Sequence, residues 1–257
     1  MKARISGALV AAVLLAGCTP SNGESIAANE QGAATVEPVG DEQLGEHAEG
    51  AQLVTVEASA PGRPTYDPAC AITEQSVAGV PLGPTLGDFA AAFPAGSRLV
   101  FRPNAMVDIG QLCLVTGGEP QICADFLSYG ITEYAPDIEL AQISAHGDQC
   151  RTAEGVGPGS TIEEAAAAYG RPNFSFNYDN EGREYVSFAN APQPYAFRAR
   201  SEQTLAMQEE GGTWPNGEFA GDYRGIASDQ NGFFETTIAY PESALWELTV
   251  TRRIPVE

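Results

Sequence analysis

GVGPGSTIEEAAAAYGRP, residues 155–172, is the stretch on which the fold turns. Gly155, Gly157 and Gly159 lead into IEEAAAAY, a run dominated by helix formers. A glycine-rich turn feeding a helix can hold phosphate, because free backbone N–H groups and the helix dipole face the anion. The residue pattern argues against that use. A P-loop needs Gly-Lys-Ser/Thr, and no lysine follows Lys2. A dinucleotide fingerprint needs G-x-G-x-x-G, and Ser160 stands where the third glycine belongs. The stretch does contain a capping box, with Thr161 as N-cap and Glu164 to answer it.

An upstream copy sharpens the point. GVPLGPTLGDFAAAFP, residues 79–94, aligns with residues 155–170 without a gap. Both copies keep a turn glycine (Gly83, Gly159), a capping threonine (Thr85, Thr161), an acid (Asp88, Glu164), small helix residues and an aromatic stop (Phe93, Tyr169). Gly157 is not shared, since Pro81 takes its place. The common residues are those that start a helix, so no nucleotide is expected.

Strand patterns follow each helix. They are SRLVF, GQLCLVT, PQICADF and IELAQIS after the first, and NFSFNYD, EYVSFA, YAFRARS, ETTIAY and LWELTVT after the second. Alternation places Phe174, Phe176 and Tyr178 on one face, and likewise Trp246, Leu248 and Val250. The pattern predicts an α+β fold of two tandem repeats, each a short helix packed on an antiparallel β-meander. Repeat 1 spans 67–150, and repeat 2 spans 151–257 with an insertion at 201–232.

The start of the chain predicts export. MKARISGALVAAVLLAG, residues 1–17, has a basic start and a short apolar stretch, the layout of a signal peptide. Leu15-Ala16-Gly17-Cys18 resembles the bacterial lipobox, which implies a lipid on Cys18 and, with Thr19 next, an outer-membrane destination. Residues 18–66 are acidic, rich in Ala, Gly, Pro and Ser, and hold no aromatic before Tyr66; they read as a disordered tether. The formal charge is −21, which excludes nucleic acid and anionic membrane surfaces as expected partners.

Four further cysteines suit an oxidising compartment. Cys113 and Cys123 flank LVTGGEPQI, and a hairpin turning at Gly117-Gly118 sets them opposite each other. That pairs Cys113 with Cys123 and leaves Cys70 for Cys150. With no C-x-x-C and one histidine, His146, in the folded part, no metal site is expected.

The pattern of glycine, Ser-Thr, paired acids, short helix and aromatic-Gly-x-Pro resembles the helix lead-in of the BamE and β-lactamase-inhibitor-protein (BLIP) superfamily. BamE-like domains are small lipoproteins of the outer-membrane barrel assembly machinery. The inhibitors are tandem helix-plus-sheet units with hairpin disulfides whose exposed sheet face grips an enzyme. The resemblance covers about residues 75–125 and 151–200. This chain differs from BamE in being doubled, and from the inhibitors in its lipobox and insertion.

Catalytic signals are weak. His146 stands in AHGDQ, which reads as an exposed polar turn, and the cysteines are expected in bridges rather than as nucleophiles. NYDNEG, 177–182, begins like a calcium loop, but Phe188 stands where its closing glutamate belongs, so Asp179–Gly182 reads as a hairpin turn. The expectation is a non-enzymatic, cofactor-free lipoprotein on the outer membrane, in the periplasm or at the cell surface. It would act as a protein-binding or scaffold module; the alternative is a BLIP-like inhibitor or binder of a secreted or periplasmic enzyme. Binding residues are expected among the arginines and aromatics of repeat 2: Arg198, Arg200, Trp214, Phe219, Tyr223 and Arg253.

Overall fold

The structure, a computed structural model, describes residues 34–38, 50–57, 65–106, 108–178, 183–202 and 219–252. The signal peptide, Cys18, the Asp179–Gly182 turn, Trp214 and Arg253 lie outside these residues.

Both capping boxes form. α1 (Leu86–Ala91) starts at Thr85, whose Oγ1 accepts from Asp88 N while Asp88 Oδ2 accepts from Thr85 N. α2 (Ile162–Tyr169) starts at Thr161, with Glu164 answering in the same way. The glycine loop ahead of α2 is consumed by the fold. Gly159 N donates to Leu245 O at 2.7 Å and Ile162 N to Ser243 O at 3.0 Å. A Cβ at residue 157 would lie 1.9 Å from Cys150 O, so Gly157 is a close-approach glycine.

The alternating segments form strands. β1 (Ala34–Pro38) and β2 (Gln52–Val56) come first, followed by the short β3 (Ile72–Thr73), β4 (Ser76–Val77) and β5 (Val80–Pro81) ahead of α1. β6 (Arg98–Arg102), β7 (Ile109–Thr116), β8 (Glu119–Leu127) and β9 (Gln142–Ala145) lie between the helices. β10 (Pro172–Asn177), β11 (Glu184–Phe188), β12 (Tyr195–Arg200), β13 (Phe233–Thr236) and β14 (Ala244–Thr251) follow α2. β3, β4 and β5 make a small sheet, and the others one antiparallel sheet of 11 strands in the order β1-β2-β6-β7-β8-β9-β14-β12-β11-β10-β13.

This overturns the expected α+β fold of two helix-on-meander repeats. The structure is a mostly β fold: β14 pairs with β9, Leu248 opposite Ala145 and Val250 opposite Ile143, so the strands run on as one sheet. The helices are only 6 and 8 residues long. Leu86 and Phe89 of α1 and Ile162 and Ala165 of α2 enter one hydrophobic core with Phe101, Ile143, Leu248 and Phe174. Pairing β9 with β14 covers two strand edges that separate meanders would leave open.

The expected tether is also shorter than 18–66. β1 and β2 join the sheet from within it, and Val54 and Val56 are core residues. The alternation of QLVTV suffices for a half-buried strand once β6 offers an edge.

Cys113 sits directly opposite Cys123 across β7 and β8, and the two are bridged. The second disulfide joins Cys70 to Cys150, beside the bridge of Ala71 to Arg151. Two disulfides suit an extracytoplasmic protein. Among the described residues, no helix is long and apolar enough to cross a membrane.

β14 carries one irregularity. Its register with β12 shifts between Arg198 and Ala199, so Arg198 faces Glu247 and Ala199 faces Leu245. Leu245 and Leu248 both enter the core, so Trp246 and Glu247 both turn to the opposite face. The expected alternation of Trp246 with Leu248 and Val250 fails at this bulge.

Candidate functional site

The face of the sheet away from the core holds a cleft of about 670 Å³. None of its lining residues comes from a helix. Beneath it lies a layer of polar side chains from four neighbouring strands. Asp125 of β8 is 2% exposed and accepts from Gln111 of β7 (3.0 Å) and Gln142 of β9 (2.8 Å), with Ser144 Oγ farther off at 3.4 Å. Burial, reinforced by the charge of Glu247, pushes the Asp125 carboxyl up to about 7 against the pull of these donors.

His146 follows directly after β9. Its Nε2 shares a hydrogen bond of 3.2 Å with Ser144 Oγ, and its Nδ1 lies 3.9 Å from Glu247 Oε2. The His146 side chain is 11% exposed, which corrects the expectation of a solvent-exposed turn histidine. Burial lowers its pKa, Glu247 opposes the shift, and Arg198 and Arg102 add to it. The imidazole is therefore held neutral at neutral pH. Trp246 stands beside it, with ring centroids 5.9 Å apart, and Arg198 lies over the indole at 5.4 Å.

Ser144, His146 and Glu247 carry the atoms of a serine–histidine–acid set. Ser144 is 0% exposed, however, and the His146–Glu247 separation is too long for a hydrogen bond. Ser144 does not line the cleft, and its hydroxyl lies in the polar floor beneath it, between Asp125 and His146.

The expected binding residues divide. Arg198 and Arg200 stand on the cleft face, Arg200 in its lining. Phe219 and Tyr223 are core residues, 1% and 3% exposed, which corrects their expected role as contacts for a partner. They pack on Phe176, with centroids 4.7 Å away in each case. Glu184 fixes this return of the chain: its carboxylate accepts from Ala220 N (2.8 Å), Gly221 N (2.9 Å) and Tyr223 Oη (2.9 Å). Burial pushes Glu184 up to about 7 despite those three donors. The aromatics of the insertion that lie among the described residues thus serve the core.

Sequence reasoning missed Asp125, Trp246 and Glu247 as site residues, and misread His146. They come from β8, the end of β9 and β14, and only the β9–β14 pairing brings them together. Among the described residues, no group of three or more side chains suited to a metal ion occurs. The chain matches no protein-family model, no curated protein and no solved structure with which it was compared.

Proposed function

We propose that this chain is a non-enzymatic protein of the cell envelope, carried by a lipid on Cys18 at the outer membrane, whose cleft binds a protein partner. The observation that carries this reading is the cleft itself. It is an open depression of about 670 Å³ lined by Trp246, Met106, Arg200 and acidic side chains, on the sheet face opposite the core. Tryptophan and arginine are the residue types that anchor protein interfaces. The reading is further supported by two disulfides, by the lipobox at Leu15–Cys18, and by a charge of −21 that disfavours nucleic acid. The buried serine speaks against hydrolysis at this site.

The test is capture from detergent-solubilised envelopes by the full chain with its lipid and tether. Thr116, exposed at the cleft rim, can be replaced by Trp to fill the depression without touching the core. A partner captured by the wild type and lost with Thr116→Trp at unchanged Tm supports the reading. A partner held equally by both places binding elsewhere. Loss of [3H]palmitate labelling in Cys18→Ser checks the anchor independently.

A further inference from the structure

We infer that the cleft receives the cationic end of a lysine or arginine side chain presented by the partner, with Glu247 as its counter-ion. This rests on the reading of the cleft as a protein-binding site and names the chemistry it selects.

Glu247 is the key side chain, and it is 7% exposed. Its Oε1 accepts from Thr249 Oγ1 at 2.9 Å. Among the described residues, its Oε2 has only the basic group His146 Nδ1 within 4 Å, at 3.9 Å, beyond hydrogen-bond reach. Glu247 also lines the cleft, so the unoccupied oxygen borders the open space. The obvious internal partner is Arg198, which stands directly opposite across β12 and β14. That guanidinium is drawn aside instead, over Trp246 at 5.4 Å and toward Met106 Sδ at 3.9 Å. His146 supplies no charge at neutral pH, since burial lowers its pKa.

A second buried acid stands behind the first. Asp125 is held by three neutral donors and by no cation. At the rim, Glu119 and Asp148 outnumber Arg200. A carboxylate buried without a cation is costly unless something arrives to pair with it. The cleft is therefore complementary to positive charge.

The shape narrows the kind of cation. A volume of about 670 Å³ is far more than a metal ion fills, and the described residues offer no metal-ligand cluster. Met106, Pro120 and Trp246 give apolar surface along which the aliphatic stem of a Lys or Arg can lie while its head reaches Glu247. The net charge of −21 steers such a partner toward the molecule from a distance. One further consequence is a pH dependence. As pH falls, His146 gains a proton beside Glu247 and Asp125 loses its charge. Both changes make the surroundings of Glu247, which already include Arg102, Arg198 and Arg200, more positive, so capture weakens on acidification.

The inference is tested with the full chain and the peptide acetyl-Gly-Gly-Lys-Gly-Gly-amide, its Nζ-acetylated form, and n-butylammonium, by titration calorimetry at pH 7.5. The expected result is saturable binding of the lysine peptide below about 10 mM. The acetylated form should bind at least tenfold more weakly, and Glu247→Gln should lose the difference at an unchanged or higher Tm. Equal binding of the two peptides, no measurable binding of either, or indifference to Glu247→Gln overturns the inference. n-Butylammonium binding as tightly as the peptide overturns the assignment to a protein side chain. Envelope capture that depends on position 116 but not on Glu247 leaves the binding reading intact and removes this one. Loss of capture in both variants keeps the two together.

Discussion

Glu184, half-buried on β11, and Glu247, buried on β14, are glutamates of one sheet, yet the protein treats them oppositely. Glu184 meets three donors, two backbone N–H groups and a phenol, all from the returning segment Ala220–Tyr223. Every one of those donors would be orphaned without it. Glu247 meets one hydroxyl, and its nearest basic neighbour stands 3.9 Å away. The first is a fastener whose surroundings were shaped to satisfy it. The second is under-satisfied beside an open cleft. Burial alone does not distinguish a structural carboxylate from a functional one; the donor inventory does.

The largest effect should come from removing the fastener. Glu184→Ala leaves two backbone N–H groups and the Tyr223 hydroxyl without an acceptor, and denaturant unfolding should show a loss of about 3–5 kcal/mol. A loss below about 1 kcal/mol would break the comparison. Next comes pH. Glu184 and Asp125, both raised to about 7 by burial, bind a proton more tightly in the folded chain than in the unfolded one. Their contribution to stability is therefore greatest in acid, and falls as pH climbs from the ordinary carboxyl range through about 7, on the order of 3–4 kcal/mol per group. His146, with its lowered pKa, works in the opposite sense below its ordinary value. Unfolding curves at pH 5 and pH 8 should show the net decline, and Glu184→Gln should flatten part of it.

Tyr223→Phe removes one donor of three and should cost about 1–2 kcal/mol. Glu247→Gln should change stability by less than about 1 kcal/mol, or raise it, because a neutral amide suits a buried site that has no cation. A strongly destabilised Glu247→Gln would make the two glutamates alike and remove the reason to treat the cleft as unfinished.

Much of the local structure was legible. The Thr85/Asp88 and Thr161/Glu164 boxes name their helices, because capping is a contact among residues three apart. The Cys113–Cys123 bridge follows from a hairpin whose turn fixes its own register. Assembly was not legible. The two similar helix lead-ins suggest separate units, and nothing local in IELAQIS or LWELTVT says that those segments pair. The bulge at Trp246 and Glu247 is hidden for a related reason. LWELTVT alternates well enough to read as a regular strand, and a one-residue slip leaves no mark in composition. The site residues were missed because 125, 146 and 247 become neighbours only through the sheet order. Phe219 and Tyr223 were misassigned because a long glycine-rich insertion gives no sign that its far end folds back onto Phe176.

The place of β14 sets a timetable. It is the last strand of the sheet in sequence yet lies between β9 and β12, deep within the strand order. During synthesis and export, residues 244–251 are the last of the sheet to emerge, so its two portions must wait with facing edges unpaired until they do. Joining contacts this distant along the chain is slow, and open strand edges invite intermolecular pairing in the meantime. A holding chaperone should therefore matter more to this protein than to one whose sheet zips up in order of synthesis.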